Sequence, residues 1–299
     1  MKTLIKMNKF LKFNELFDKA QEYFEKEAYT IALDFINSAL LIDIDISTKR
    51  LFEAYLLSGD IKIQMKKFKD SIADFDKAIK IDPENPRGYT LRGINKYLLN
   101  KYKEAITDFD HSIEIDPEDN DNWFYRGASK YNLMQYEDAI KDFDNAILLD
   151  PKDSFSLGTR GLTKYFLNQY QEAIVDLDKA ISLNPKDPIY WSYRGRSRFF
   201  LIHYSEAITD LDKAIKLNPK DSESLKFRGT CKYFLDQYKE AIIDFESVIK
   251  FDPDNTIALS SISYIKELLG NNVMQKKENF EISIILQFLE DKHNYHEII

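Results

Sequence analysis

The sequence predicts an all-α protein, a solenoid of stacked helical hairpins, and three observations carry that reading. A block of the form Tyr102-Lys103-Glu104-Ala105-Ile106-Thr107-Asp108-Phe109, closed by Pro117, recurs with closing prolines at Pro83, Pro151, Pro185, Pro219 and Pro253, in steps of 34 residues. Six of the eight prolines and six of the nine glycines (Gly59, Gly93, Gly127, Gly161, Gly195 and Gly229) fall in this single register. These are the two residue types that most disturb a helix, so their common phase marks where helices stop and where they approach one another. Within each period, apolar and small residues recur at helical spacing, as in Ala173, Leu177, Ala180 and Ile181, and not in strand alternation.

Taken in order, residues 1–13 form a basic lead-in with Lys2, Lys6, Lys9 and Lys12 among its apolar residues. Asn14 to Asp43 is a degenerate first unit, with Ala20, Tyr29, Ala32, Ile36 and Ala39 where later units carry Gly, Tyr, Ala, Phe and Ala, and with Ile44 where they carry proline. Ile44 to Pro83 is longer than one period, and its extra residues are expected to lengthen the connection near Asp45 to Arg50. Five regular units follow. In the unit ending at Pro185, Ser154 is expected to cap a first helix that runs to about Leu167. Asn168 and Gln169 turn the chain, because Asn tolerates the left-handed conformation. A second helix, Tyr170 to Leu183, stops before Pro185. A last half-unit spans Thr256 to Gly270, with the glycine placed to end a helix. Residues 271–299 hold a linker, Asn271 to Glu278, and an apolar helix, Phe280 to Leu289, expected to cover the open end of the array, an amphipathic segment for a partner or for self-association being the alternative.

Two antiparallel helices of this size bury too little by themselves, so stability has to come from stacking. Small residues at Gly161, Ala173 and Ala180 let the pair approach, and Phe or Leu at 75, 109, 143, 177, 211 and 245 fills the space to the next pair.

The net charge of −8 disfavours nucleic acid as a partner, since phosphate binding needs clustered cations. The single cysteine, Cys231, makes no internal disulfide, and the four histidines (His111, His203, His293 and His296) are scattered, so no metal or cofactor is expected. No catalytic constellation stands apart from the repeat. No apolar run approaches the ~20 residues of a membrane span, no secretory signal is read at the start, and a cytoplasmic location is the expectation.

The pattern Gly161, Tyr170, Ala173, Leu177, Ala180, Pro185, repeated in register over roughly residues 14–270, resembles the tetratricopeptide repeat, with seven full units and a half. The resemblance implies a right-handed superhelix whose first helices line a concave groove that binds peptides or protein segments without catalysis. Self-association through the array ends is an alternative, and RNA or a phospho-ligand a weaker one.

Two departures bear on the groove. The family usually places Leu before the glycine, whereas here stand Arg92, Arg126, Arg160, Arg194 and Arg228, with Lys96, Lys130, Lys164, Arg198 and Lys232 one turn later. The second helices carry Asp108, Asp142, Asp176, Asp210 and Asp244 with matching period, and Asp76, Asp110, Asp144, Asp178 and Asp212 as a second row. Matched opposite charges suggest a structural ion-pair ladder, because a buried arginine without a partner is costly; a basic groove for an acidic ligand is the competing reading. The resemblance places a second series, Tyr97, Tyr131, Tyr165, Phe199 and Tyr233, on the groove, with Asn132, Phe166, Phe200 and Phe234 beside it and Arg196 one turn earlier. Aromatic anchors of this kind suit protein recognition, and the most apolar stretch, around Tyr165 and Phe199, is the expected hot spot. The asparagine of the carboxylate clamp known in chaperone-binding members corresponds to Leu91, Tyr125, Thr159, Tyr193 and Phe227, so binding of chaperone tails is not expected.

Overall fold

In the computed structural model, the residues described are 2–42, 47–270 and 277–294; among them there are sixteen helices and no strand. Of the expected linker, Asn271 to Glu278, positions 271–276 lie outside them, as does the His296 end of the tail, while Lys277 and Glu278 already belong to the last helix. The chain divides into two compact units, residues 1–133 and 134–299. The first contains α1 (Lys2–Glu25), α2 (Tyr29–Leu40), α3 (Thr48–Gln64), α4 (Phe68–Ile81), α5 (Pro86–Leu98), α6 (Tyr102–Ile115) and α7 (Asn120–Asn132). The second contains α8 (Tyr136–Leu149), α9 (Ser154–Phe166), α10 (Tyr170–Leu183), α11 (Pro188–Phe200), α12 (Tyr204–Leu217), α13 (Ser222–Phe234), α14 (Tyr238–Phe251), α15 (Thr256–Gly270) and α16 (Lys277–Asn294).

Within each unit successive helices pack on one another, and the closest contacts between alternate helices all join first helices: α1 with α3, α3 with α5 and α5 with α7, then α9 with α11 and α11 with α13. The odd-numbered helices are therefore the tighter, inner layer of each stack and the even-numbered ones the outer. The space between them is filled by Phe75, Phe109, Phe143, Leu177, Leu211 and Phe245, all fully buried, with buried alanines such as Ala105, Ala173 and Ala207 allowing the approach. Gly161 sits where a Cβ would lie 2.8 Å from Leu177 Cγ and 3.3 Å from the Ala173 carbonyl, so this contact requires a residue without a side chain.

The turn inside each hairpin is one repeated device. Gln169 N–H donates to Lys164 O and Asn168 N–H to Tyr165 O, which closes the helix in a Schellman motif with Asn168 at φ 61°. The same left-handed position is filled by Glu27, Lys66, Asn100, Met134, Ile202 and Asp236. Asparagine is thus one solution among several, and the β-branched Ile202, at φ 65°, is the most strained of them.

Three expectations change. Asp153, not Ser154, caps α9: its carboxylate accepts from Phe155 N–H at 2.9 Å and Ser156 N–H at 3.1 Å. Asp119, Asp187 and Asp221 do the same work for α7, α11 and α13, two residues after their prolines, because a carboxylate there reaches the free amides of the first turn. The extra residues of the second unit extend α3 instead of a loop: Thr48–Arg50 form its first turn behind Ser47, and α3 runs 17 residues where α5 runs 13. Positions 45 and 46 of that expected loop lie outside the described residues. The basic lead-in is continuous with the first helix. α1 passes through the boundary at 13 and 14 and already buries Phe13, which stacks on Phe17 at 6.3 Å.

Candidate functional site

The charged series is assembled by the 34-residue register. Arg160 lies on α9 with its guanidinium between two second helices. Nε and Nη2 donate to the two oxygens of Asp176 at 2.8 and 2.6 Å, while Nη1 donates to Asp144 at 2.6 Å. Lys164, one turn on, reaches the same Asp176 carboxylate at 2.6 Å. Arg194 repeats the arrangement with Asp210 and Asp178, Arg228 with Asp244 and Asp212, and Arg92 with Asp108 and Asp76. Arg126 donates to Asp110 at 2.6 Å, and Asp142 is buried. Planar two-point contact of this kind is the strongest form of the pair. Burial works against the charge of Arg92, Arg160, Arg194 and Arg228, but the aspartates outweigh it and hold each guanidinium above its ordinary pKa. Cations and anions so engaged leave few donors for a ligand.

The aromatic series separates into two columns with different surroundings. Tyr165, Phe199 and Tyr233, expected on an open groove, are only 1 to 3 % exposed. Tyr165 is wedged between Tyr170, which begins the second helix of its own hairpin, and Tyr193 of the next first helix, with centroids 5.8 and 5.1 Å away. Phe199 lies in the same way between Tyr204 and Phe227. The rings that displace them from solvent are Tyr193 and Phe227, which occupy the clamp positions. Large rings there close over the preceding first helix, and the expected hot spot at Tyr165 and Phe199 becomes core. Tyr97 and Tyr131 are half-buried; the Tyr97 hydroxyl is hydrogen-bonded to the Asn132 side chain, whose amide also donates to Ala128 O. Arg196 is a further correction. It is 7 % exposed, with its guanidinium 4.7 Å from the Tyr193 ring centroid and 5.3 Å from that of Phe227. It is a packed cation, not a groove handle.

The second column is partly buried. Phe166 stacks on Tyr136, Phe200 on Tyr170 and Phe234 on Tyr204, with centroids 5.8, 4.8 and 4.8 Å apart and planes within 11° of parallel. In the second unit the inner layer therefore presents a row of supported rings.

α16 lies on this layer. Phe280, Ile284 and Phe288, four residues apart, form its inward edge. Phe288 meets Phe227 at 4.3 Å and Phe199 at 5.6 Å, while Phe280 stacks on Tyr264 at 3.9 Å and meets Tyr233 at 5.5 Å. Ile284 and Phe288 are buried in one cluster with Phe227, Cys231 and Ile257, and Gln287 Nε2 donates to Thr256 Oγ1 at 3.1 Å. Its contacts run from Tyr264 on α15 back to Phe199 on α11.

Asp60 escapes the motif reading because it occurs once. It stands on α3 in the register of Arg196, in a recess of about 180 Å³ walled by Phe17, Phe24, Leu56 and Leu57, near the ion pair of Glu53 and Arg87. Burial, with Arg87 opposing it and Glu53 adding to it, pushes this carboxyl from 3.8 to about 6.

Four stretches, residues 52–85, 86–119, 156–187 and 227–255, match the family profile described as tetratricopeptide repeat. The fold is similar to three solved structures. PilF of Pseudomonas aeruginosa has a TM-score of 0.64 and 16 % identity over 72 % of this chain and 98 % of that one. A tetratricopeptide repeat protein of Parabacteroides merdae has a TM-score of 0.62 and 17 % identity over 86 % and 99 %. YrrB, a TPR protein with an unusual peptide-binding site, has a TM-score of 0.56 and 19 % identity over 62 % and 96 %. Among curated proteins, none matches.

Proposed function

This chain is a tetratricopeptide-repeat protein, and from that premise we propose that it is a non-catalytic binding protein that takes a helical segment of a partner protein on the inner face of its second unit. The observation that carries this reading is the seat of α16: an apolar helix edge already lies against Phe199, Phe227 and Tyr233. Partly buried Phe166, Phe200 and Phe234, each backed by a tyrosine ring, continue that surface and supply rigid contact area at small entropic cost. The peptide-binding site of YrrB supports the class of ligand. The arginine–aspartate ladder serves structure in this reading, because each charge is already spent on a neighbour. A library of amphipathic helices selected on the full chain is expected to enrich binders that lose at least about tenfold on Phe200→Ala/Phe234→Ala. A pool that binds both proteins equally would move the site elsewhere.

A second reading, self-association, is favoured by the start of α1, where Leu4, Ile5, Met7, Phe10 and Leu11 are all exposed over about two turns. Sedimentation that shows a dimer, converted to monomer by Leu4→Lys/Leu11→Lys, would support it; a monomer at all concentrations would remove it.

A further inference from the structure

We infer that α16 is a resident occupant of the binding face, and that the partner is an amphipathic helix with the same aromatic–aliphatic–aromatic edge at four-residue spacing, which has to displace α16 to bind. The inference rests on the reading above and adds to it both the chemistry of the partner and a latent state.

Three features of α16 support it. Its contacts match those of a docked ligand: Phe280, Ile284 and Phe288 fall at i, i+4 and i+8, the spacing by which an amphipathic helix lays one edge into a groove. Those three side chains meet rings on α13, α15 and α11, so the helix spans several hairpins as a bound segment would. The device that couples the hairpins to one another is also missing from it. Residues 277–294 contain no arginine, whereas Arg160, Arg194 and Arg228 each tie one hairpin of this unit to the one before. Phe280, Ile284 and Phe288 are seated by ring and aliphatic packing, which another helix of the same pattern can reproduce.

The chain between Gly270 and Lys277 is six residues long, so a released α16 stays close to its seat. A short tether sets an effective concentration of about 1 mM, so an α16 of ~10 μM intrinsic affinity for its seat weakens the binding of a competing helix to the intact chain roughly 100-fold.

The probe is a labelled peptide of residues 277–294, followed by fluorescence anisotropy with two full-length proteins: the unaltered chain and Phe280→Ala/Phe288→Ala. These substitutions lie outside the arginine–aspartate ladder, and circular dichroism with a melting curve checks that the array is intact. The altered chain is expected to bind the peptide at least 30-fold more tightly than the unaltered one. Unlabelled peptide carrying the same two alanines is expected not to compete. Equal affinity for both proteins would overturn occupancy by α16 while leaving the face as a binding site. No binding to either protein at millimolar peptide would overturn this inference and the proposed function together.

Discussion

Replacing Asp60 by Asn should stabilise the first unit at neutral pH, an unusual direction for a substitution on an inner helix. Folded, the carboxyl keeps its proton up to about pH 6, whereas its ordinary value is 3.8. Ionisation is harder in the folded chain than in the unfolded one. Stability is therefore fullest below about pH 4, falls as pH rises to about 6, and stays reduced above it. At roughly 1.4 kcal/mol for each pH unit, the penalty at pH 7.5 is about 3 kcal/mol. An asparagine amide in the same recess gives back about 1 kcal/mol for a polar group without a full set of partners, which leaves a gain of about 2 kcal/mol. Hydrogen exchange of the α3 amides at pH 7.5 would read this as slower opening in Asp60→Asn, and urea unfolding at pH 5 would show a smaller difference between the two proteins. A loss of stability at pH 7.5 would refute the argument, since it would mean that Arg87 leaves Glu53 to pair with Asp60 in solution.

The ladder makes a contrasting prediction: Asp176→Asn leaves Arg160 and Lys164 without their shared carboxylate and is expected to cost about 3 to 5 kcal/mol, read as a fall in melting temperature. Arg160→Leu, which restores the family's residue, should cost clearly less than Arg160→Ala, and it should leave binding to the inner face unchanged; loss of binding in a folded Arg160→Leu protein would return the basic-groove reading. Ile202→Gly relieves a β-branched residue at φ 65° and is expected to raise stability by about 1 kcal/mol, measured by urea unfolding. Gly161→Ala, whose Cβ would lie 2.8 Å from Leu177 Cγ, is expected to cost about 1 to 3 kcal/mol in the same assay.

The hairpins, their phase and their core residues were legible because the repeat prints the same constraint many times. Pro185, Gly161 and Leu177 each have counterparts at fixed distance, and a helix boundary shared by several units is hard to misplace. The arginine and aspartate series was legible for the same reason, as two periodicities of opposite charge in one phase. Tyr165 and Phe199 were not, because their burial depends on Tyr193 and Phe227, rings that sit 28 residues later and matter only once the next hairpin is stacked. Asp60 and the seat of α16 were illegible for a different reason: each occurs once. The seat of α16 on Phe227 is a tertiary contact that no periodicity encodes.

Arg160 reaches forward to Asp176 and backward to Asp144, and Arg194 and Arg228 do likewise with their own neighbours. A copy of residues 152–185 spliced in at a proline brings one arginine and both kinds of aspartate, so the new segment finds partners on either side. One residue more or fewer within a helix turns the following guanidinium by about 100°, away from both carboxylates. Growth or shortening of this chain is thereby restricted to whole modules, and tandem duplication is the genetic change that the charge arrangement tolerates.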